Sequence, residues 1–285
     1  MTSEQIIASV LLRSGFPTDN YFSNAEMLTI MNDELRLVIN PLIMTLQEEF
    51  LLQTKDYTIV SGSSYRLPKR ALGGKLRDVK IYDGTNYQNL NRLFEEDRAN
   101  NPVGYYLNRN SLELSGDFTA QTLRVTYYLA PSQLVLTTSA AAIASIDSAT
   151  QVTVSSLPTN IAINTQIDFV QSSGQYDLLD IDKTVTGVAG TTLTFAALPD
   201  DLAVGDYICV AGQSPVPTIP LDLHPVLVQA TLCSCLSSKK DKALEVEGPK
   251  LKKLIDTMEA MLQPRVDNGS IFLSGQGLLS AIRNR

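Results

Sequence analysis

Tryptophan is absent, and histidine occurs once, as His224. One histidine excludes a paired-imidazole metal site, and no catalytic triad forms around it in the sequence. We read His224, which precedes Pro225, as a structural residue at a helix start. Cysteine occurs three times, as Cys209, Cys233 and Cys235. The number is odd, and residues two apart on a helix do not face each other. The three are read as buried thiols of a reducing cytoplasm, not as a disulfide framework. No apolar run reaches the roughly 20 residues that span a bilayer. The opening "SEQIIASVLLRSG" lacks the basic start of a signal peptide. The sequence is therefore read as soluble.

Positive charge is also in short supply. Lys and Arg total 23 against 30 Asp and Glu, a net charge of −7. Phosphate contacts carry most of the affinity for duplex DNA, so this balance argues against a protein that grips nucleic acid. Basic residues almost vanish over 131–215, where Lys183 stands alone.

What is present has a clear order. Residues 3–15 read as a short helix, with Ser3 as its cap and Gly15 at its end. Ser23 and Glu26 form a capping-box pattern. Behind it Met27, Met31, Leu35, Val38, Leu42 and Leu46 recur at helical spacing. Pro41 is expected to kink or divide that helix near Asn40. From Asp56 to residue 130, short β-branched and aromatic runs read as antiparallel strands. A hairpin is expected at Asn108–Asn110, and "NRLFEEDRAN" is read as a short helix. Helical texture returns after residue 216. The first closing helix is expected to be capped by Asp222. The second is expected to follow Gly248, with Pro249 in its first turn and Pro264 at its end.

The middle holds an internal repeat. "ATQVTVSSLP" and "GTTLTFAALP" end in Leu157-Pro158 and Leu198-Pro199, 41 residues apart. Each copy reads as a strand, a Leu-Pro corner, a turn and a strand beginning at Asp168 or Asp206. A small β unit cannot bury its apolar face alone, whereas two copies facing each other can. Residues 140–212 are therefore read as a small β-barrel or sandwich with an internal pseudo-twofold repeat, around 149–170 and 190–210. Prolines border it at Pro131 and at Pro215, Pro217 and Pro220. The expected fold is α+β with four parts. Residues 1–130 form N-terminal helices and an antiparallel strand region. Residues 131–215 form an inserted β module. Residues 216–264 supply helices that complete the frame, and 265–285 form an extended tail.

The search for chemistry returns little. Asp177, Asp180 and Asp182 lack the loop of a calcium site and are read as turns and strand ends. "GGK" at Gly73–Lys75 lacks the remainder of a phosphate loop. Lys69, Arg70, Lys75, Arg77 and Lys80 form a basic stretch, read as a solvated rim or as inter-subunit or phosphate contacts. Lys239, Lys240, Lys242, Lys250, Lys252 and Lys253 surround the joint of the closing helices and could meet an acidic neighbour such as Glu95, Glu96 and Asp97. Asn268 fits a glycosylation sequon, which matters only in a secreted eukaryotic protein. Phe169, Tyr176, Phe195 and Tyr207 are the only aromatics of 131–215, too few for sugar stacking. No catalytic constellation emerges, and no cofactor is expected.

The capped long helix, the following "DYTIVSGSSYRLP", the inserted β module and "PLDLHPVLVQATLCSCL" resemble the head-to-tail adaptor (connector) proteins of tailed bacteriophages. The resemblance covers residues 20–56 and 219–265, and the strands between more loosely. It implies a non-enzymatic virion protein of the neck, made in the host cytoplasm. Such a protein forms a homo-oligomeric ring, typically of twelve subunits, that joins the portal to the tail or the next neck protein. DNA passes through the channel without specific binding, and no membrane is involved. The C-terminal extension would dock into the portal, with Ile271, Phe272, Leu273, Leu278, Leu279 and Ile282 as apolar anchors. The alternative reading is another tail or baseplate structural protein, whose β module contacts a neighbour or a host surface.

Overall fold

The computed structural model describes residues 1–15, 22–60, 64–94, 96, 103–118 and 121–262. It is a mixed α+β structure with several antiparallel sheets. Helices from both ends of the sequence share one core. They are α1 (Ser3–Ser14), α2 (Asn24–Glu34), α3 (Asn40–Leu46), α4 (His224–Ser238) and α5 (Leu244–Leu262). Ile6, Met27, Met31, Ile39 and Ile43 meet Val226, Leu227 and Leu232 in that core. α5 packs against that core from its edge, through half-buried side chains such as Leu251, Ile255 and Met258.

The ends of these helices follow local chemistry, with three corrections. Thr2, not Ser3, caps α1: its hydroxyl accepts from the Gln5 amide, and the Gln5 side chain reaches back. Ser3 is instead buried inside the first turn. Ser23 and Glu26 form the capping box of α2 as read. Between α2 and α3 the backbone widens into a π-helical stretch, Leu35–Ile39. Pro41 has no N–H, and its ring would clash with the carbonyl four residues back, so the wider turn gives it room. Asp222 does not cap α4. It sits in a 3-10 turn, Leu221–Leu223, and Pro225 occupies the first turn of α4, where no amide is needed. α5 begins at Leu244, ahead of Pro249, which lies inside it. The Gln229 side chain on α4 donates to the Glu247 carbonyl and carboxylate at 3.2 and 2.8 Å, so tertiary contact holds the early turn that a lone sequence would not start.

The strand region folds into two sheets. β1 (Leu52–Thr58), β3 (Ala71–Tyr82), β4 (Tyr87–Asn89) and β7 (Thr122–Leu129) form one, in the order β1-β7-β3-β4. β2 (Ser64–Arg66), β5 (Gly104–Asn108) and β6 (Ser111–Ser115) form the other, in the order β2-β6-β5. β5 and β6 are a hairpin with Asn108 opposite Ser111, turning at Arg109 with a left-handed φ of 52°. Of the stretch 91–100 expected to be a short helix, residues 91–93 are extended along β5, where the Tyr105 amide donates to the Asn91 carbonyl at 3.0 Å, and 95 and 97–100 lie outside the described residues. Gly104 permits this approach, since a Cβ there would lie 2.5 Å from the Asn91 carbonyl.

The middle of the chain forms a seven-stranded sheet. Its strands are β9 (Ala141–Ser148), β10 (Gln151–Val154), β11 (Gln166–Val170), β12 (Leu178–Thr184), β13 (Gly187–Ala189), β14 (Thr192–Thr194) and β15 (Tyr207–Val210). The order is β12-β11-β15-β9-β10-β14-β13. The barrel expectation requires correction, because this ladder is not closed. β12 and β13 are its two edges, and the chain joins them through Val185 and Thr186. The repeated strands line one core together, with Val152, Leu193, Phe169 and Ile208 in a single apolar cluster. They pair edge to edge, Val152 opposite Leu193 and Phe169 opposite Ile208, which satisfies backbone donors and acceptors on both. One apolar cluster holds the sheet, with Phe169 and Phe195 meeting edge to face at 5.1 Å.

The chain runs into and out of this sheet side by side. β8 (Gln133–Leu134) and β16 (Gln213–Ser214) pair in parallel.

Candidate functional site

The three parts meet at one junction, and each brings polar groups to it. The Asn32 side chain of α2 donates to the Leu134 carbonyl at 3.0 Å and accepts from the Leu134 amide at 2.7 Å. At the start of α1, the Ser3 amide donates to the Pro215 carbonyl, and the Ser3 hydroxyl to the Val135 carbonyl. The Glu4 carboxylate accepts from the Thr137 amide and hydroxyl. Both arms of the β8–β16 neck are thus gripped by the helices.

Asp168 is the second anchor. It lies mid-strand in β11 and is fully buried. Its Oδ2 accepts from the Arg70 guanidinium at 2.6 Å and the Gly212 amide at 2.9 Å, and its Oδ1 accepts from the Asp182 amide at 3.0 Å. Arg70 also donates to Ser132 Oγ at 3.1 Å. Gly212 and Asp182 turn their amides inward with left-handed φ values of 83° and 54°. For Asp182 that conformation carries strain, offset by the bond it delivers to a buried charge. Burial pushes the Asp168 carboxyl up from its ordinary value, while Arg70 and the two amides pull it back.

His224 opens α4 and is 3% exposed. Its ring stacks on Tyr176 of the seven-stranded part, with centroids 5.5 Å apart. Burial, then the positive Met1 amine, push its pKa down to about 4, against the weaker opposing effect of the Ile219 and Pro217 carbonyls. The folded value lies below the ordinary 6.5. The unfolded chain therefore binds a proton that the folded chain lacks, and stability is lost as pH falls from 6.5 to about 4. We expect that loss to be on the order of 2–3 kcal/mol. In His224→Phe, which keeps the ring stack, this part of the pH dependence should disappear. Urea midpoints at pH 7 and pH 4 check it.

A cleft of about 280 Å³ opens at the same junction. Phe50, Leu51 and Gln53 line it from the helical part and β1, Leu129 and Pro131 from the end of β7, and Asp177 and Leu178 from the start of β12. Thr218 also lines it. Asp177 is exposed, whereas Thr218 is buried and its hydroxyl oxygen is closed to solvent. That Thr218 oxygen has no hydrogen-bond partner among the described residues.

The basic stretch read from the sequence does not form one patch. Arg70 turns inward to Asp168 and is corrected from rim to interior. Arg77 pairs with Glu48 at 2.8 Å, and Glu48 also accepts from the Tyr128 hydroxyl. Lys75 lies over the Tyr128 ring at 4.7 Å, and Lys80 pairs with Asp78 at 3.3 Å. Lys69 is exposed. Of the acidic trio read beside Lys239–Lys253, Glu95 and Asp97 lie outside the described residues. So do the tail anchors Ile271, Phe272, Leu273, Leu278, Leu279 and Ile282, as well as Asn268. Asp180 pairs with Lys183 at 2.8 Å. Among the described residues no group of three His, Cys, Asp or Glu is placed to hold a metal. All three cysteines are buried and free, and burial pushes Cys235 up to about 11, so its thiol keeps its proton at neutral pH.

Reasoning from the sequence missed Asp168 as the anchor of the junction. A signal existed: "IDFV" places one carboxylate among apolar residues of a strand, and a buried carboxylate needs a partner. No family model matches the chain, and no curated protein matches it. No helix among the described residues is long and apolar enough to cross a membrane.

Proposed function

We propose that this chain is a structural subunit of a closed ring, a head-to-tail adaptor of a tailed bacteriophage, with no enzymatic role and no cofactor. The observation that carries the reading is the single core shared by the first and last helices. It makes a frame from which the sheets extend, as the resemblance in layout implies. Large apolar side chains stand exposed on that frame: Leu12 at 84%, Leu37 at 73%, and Val246 and Met261 at 59%. Subunit contacts would cover such residues. In this reading residues 265–285 dock into the portal, DNA passes through without specific contact, and the protein resides in the virion neck. An acidic chain suits a channel that must release its cargo.

The seven-stranded part deepens the reading. Val152 and Leu193 occupy matching positions of the repeat and face each other in the ladder. The turns match too. The Ala162 amide donates to the Thr165 hydroxyl at 3.1 Å, and the Ala203 amide to the Asp206 carboxylate at 2.9 Å. This pairs Asp206 with Thr165, not with Asp168. It supports a duplicated unit with a local pseudo-twofold axis, inserted as a module over 131–215.

The test is imaging and native mass of the purified chain, alone and with portal. Twelve copies of the 31.1-kDa chain give about 373 kDa. Deleting 265–285 should leave the fold and melting temperature intact and abolish co-sedimentation with portal. Undiminished co-sedimentation would overturn the docking role of the tail.

A further inference from the structure

Residues 172–177 join β11 to β12, and Tyr176 among them lays its ring on His224 at the start of α4. Tyr176 reaches that place with a left-handed φ of 59°. For a tyrosine this conformation carries strain, which the contacts of its ring offset. Besides His224, that ring packs on a buried cluster of Ala140, Val170, Cys209 and Val216. The segment is tied at its base. The Gln171 amide donates to the Asp177 carbonyl at 2.9 Å, and the Ser172 amide to the Asp206 carboxylate at 2.9 Å. Ser173, Gly174, Gln175 and Asp177 between and beside these ties are exposed.

His224 under this segment is a poor place for a proton. Its Nε2 is closed to solvent and has no hydrogen-bond partner among the described residues. The charge that acts on the ring is the positive Met1 amine. The carboxylates of the packed elements are engaged or face water. Glu4 of α1 accepts from Thr137, Asp206 accepts from Ser172 and Ala203, and Asp177 and Asp222 are exposed. Burial pushes the Tyr207 phenol and the Cys209 thiol up, so neither supplies a negative charge. An imidazolium here has no counter-ion, and water reaches it only when Tyr176 moves away. The other tie between sheet and frame behaves differently. Arg70 holds Asp168 at 2.6 Å in the middle of β11, and burial raises the Asp168 value. Mild acid therefore favours the folded state of Asp168, so β11 stays in place.

We propose that residues 172–177 form a strap that protonation of His224 releases, opening the contact between the sheet and α4 while the Arg70–Asp168 anchor stays closed. Release bares the His224 ring and the apolar surface of Val170, Cys209 and Val216. Asp177 is also a wall of the junction cleft, so its departure enlarges that cleft. The opening is local, of the kind that precedes global unfolding. It stands apart from the ring reading.

Hydrogen exchange of the full chain at pH 7.5 and 5.0, read residue by residue and corrected for the intrinsic rate, tests the strap. The Gln171 amide reports its opening, and the amides of β15 report the ladder beside it. His224 titrates near 6.5 when free and at about 4 when covered, which makes opening about thirtyfold more frequent at pH 5.0 than at 7.5. We expect Gln171 to lose protection by that factor and β15 to keep its own. His224→Phe keeps the stack without the titrating group, so its Gln171 protection should be equal at both pH values. Tyr176→Asn accepts the left-handed backbone but lacks the ring, so its Gln171 should be at least as open at pH 7.5 as wild type at pH 5.0. Wild-type protection that does not change with pH overturns the strap. So does a His224→Phe variant that keeps the change. Loss of protection in β15 in step with Gln171 also overturns it, since the whole sheet would then be opening. Should His224→Phe fail to fold, Tyr176→Asn decides: unchanged protection at pH 7.5 in that variant overturns the stack as the closure.

Discussion

Arg70→Met is expected to destabilise the protein by about 3–5 kcal/mol at pH 7, because it strands the Asp168 carboxylate without its charged partner. The pair is 2.6 Å apart, with side-chain exposures of 14% and 0%. The two amides from Gly212 and Asp182 remain, but neither carries a charge. The effect should depend on pH with a definite sign. Burial already raises the folded Asp168 value above its ordinary 3.8, and loss of Arg70 raises it further. A carboxyl raised in the folded state binds a proton that the unfolded chain has released. Its contribution to stability is present at and below 3.8 and lost as pH rises through the folded value. The variant should therefore approach wild type in acid and fall furthest behind at neutral pH. Urea midpoints across pH 4–8 check this. A deficit that is constant with pH would mean that Arg70 acts by packing alone.

That anchor was the least legible part of the molecule. Its partners lie 98 residues apart, and nothing local to "PKRALGG" distinguishes Arg70 from Lys69. Periodicity reports which face of an element is apolar. It is silent on which ion a buried ion meets. Features set within a few residues read well. Ser23 and Glu26 form a capping box because both partners lie in one turn, and Pro41 interrupts its helix because the clash is intrahelical. Tertiary contact overrode local signals at α5, where Gln229 holds the turn before Pro249, and at residues 91–93, where Gly104 admits an extended segment. The repeat was visible as spacing, but strand pairing decided its geometry. Copies that pair edge to edge make a continuous sheet, whereas copies that pack face to face make a sandwich. Both satisfy the same apolar alternation.

The prolines bordering 131–215 suggested where to cut, and the junction contacts move the cut inward. Replacing 138–211 with a short Gly-Ser linker should leave a frame that melts in one cooperative transition. Replacing 131–215 should abolish that transition. The difference lies in the neck. Leu134 is 1% exposed and belongs to the helical core, and its backbone satisfies both polar ends of Asn32. Ser3 and Glu4 bind Pro215, Val135 and Thr137. The wider cut leaves these buried groups unpaired, at about 1–3 kcal/mol each, and opens a cavity in the core where Leu134 stood. Together these losses rival the 5–15 kcal/mol that holds a typical fold. The narrower cut keeps every one of them. It removes Asp168 and Tyr176, so Arg70 and His224 become freer to meet water, and the melting temperature falls without loss of cooperativity. β8 and β16 run in parallel side by side, so the linker has only the length of a two-residue strand to cover. Calorimetry of the two deletions decides the matter. A narrow deletion without a cooperative melt would make the seven-stranded sheet part of the frame, and a cooperative melt in the wide one would make the neck dispensable.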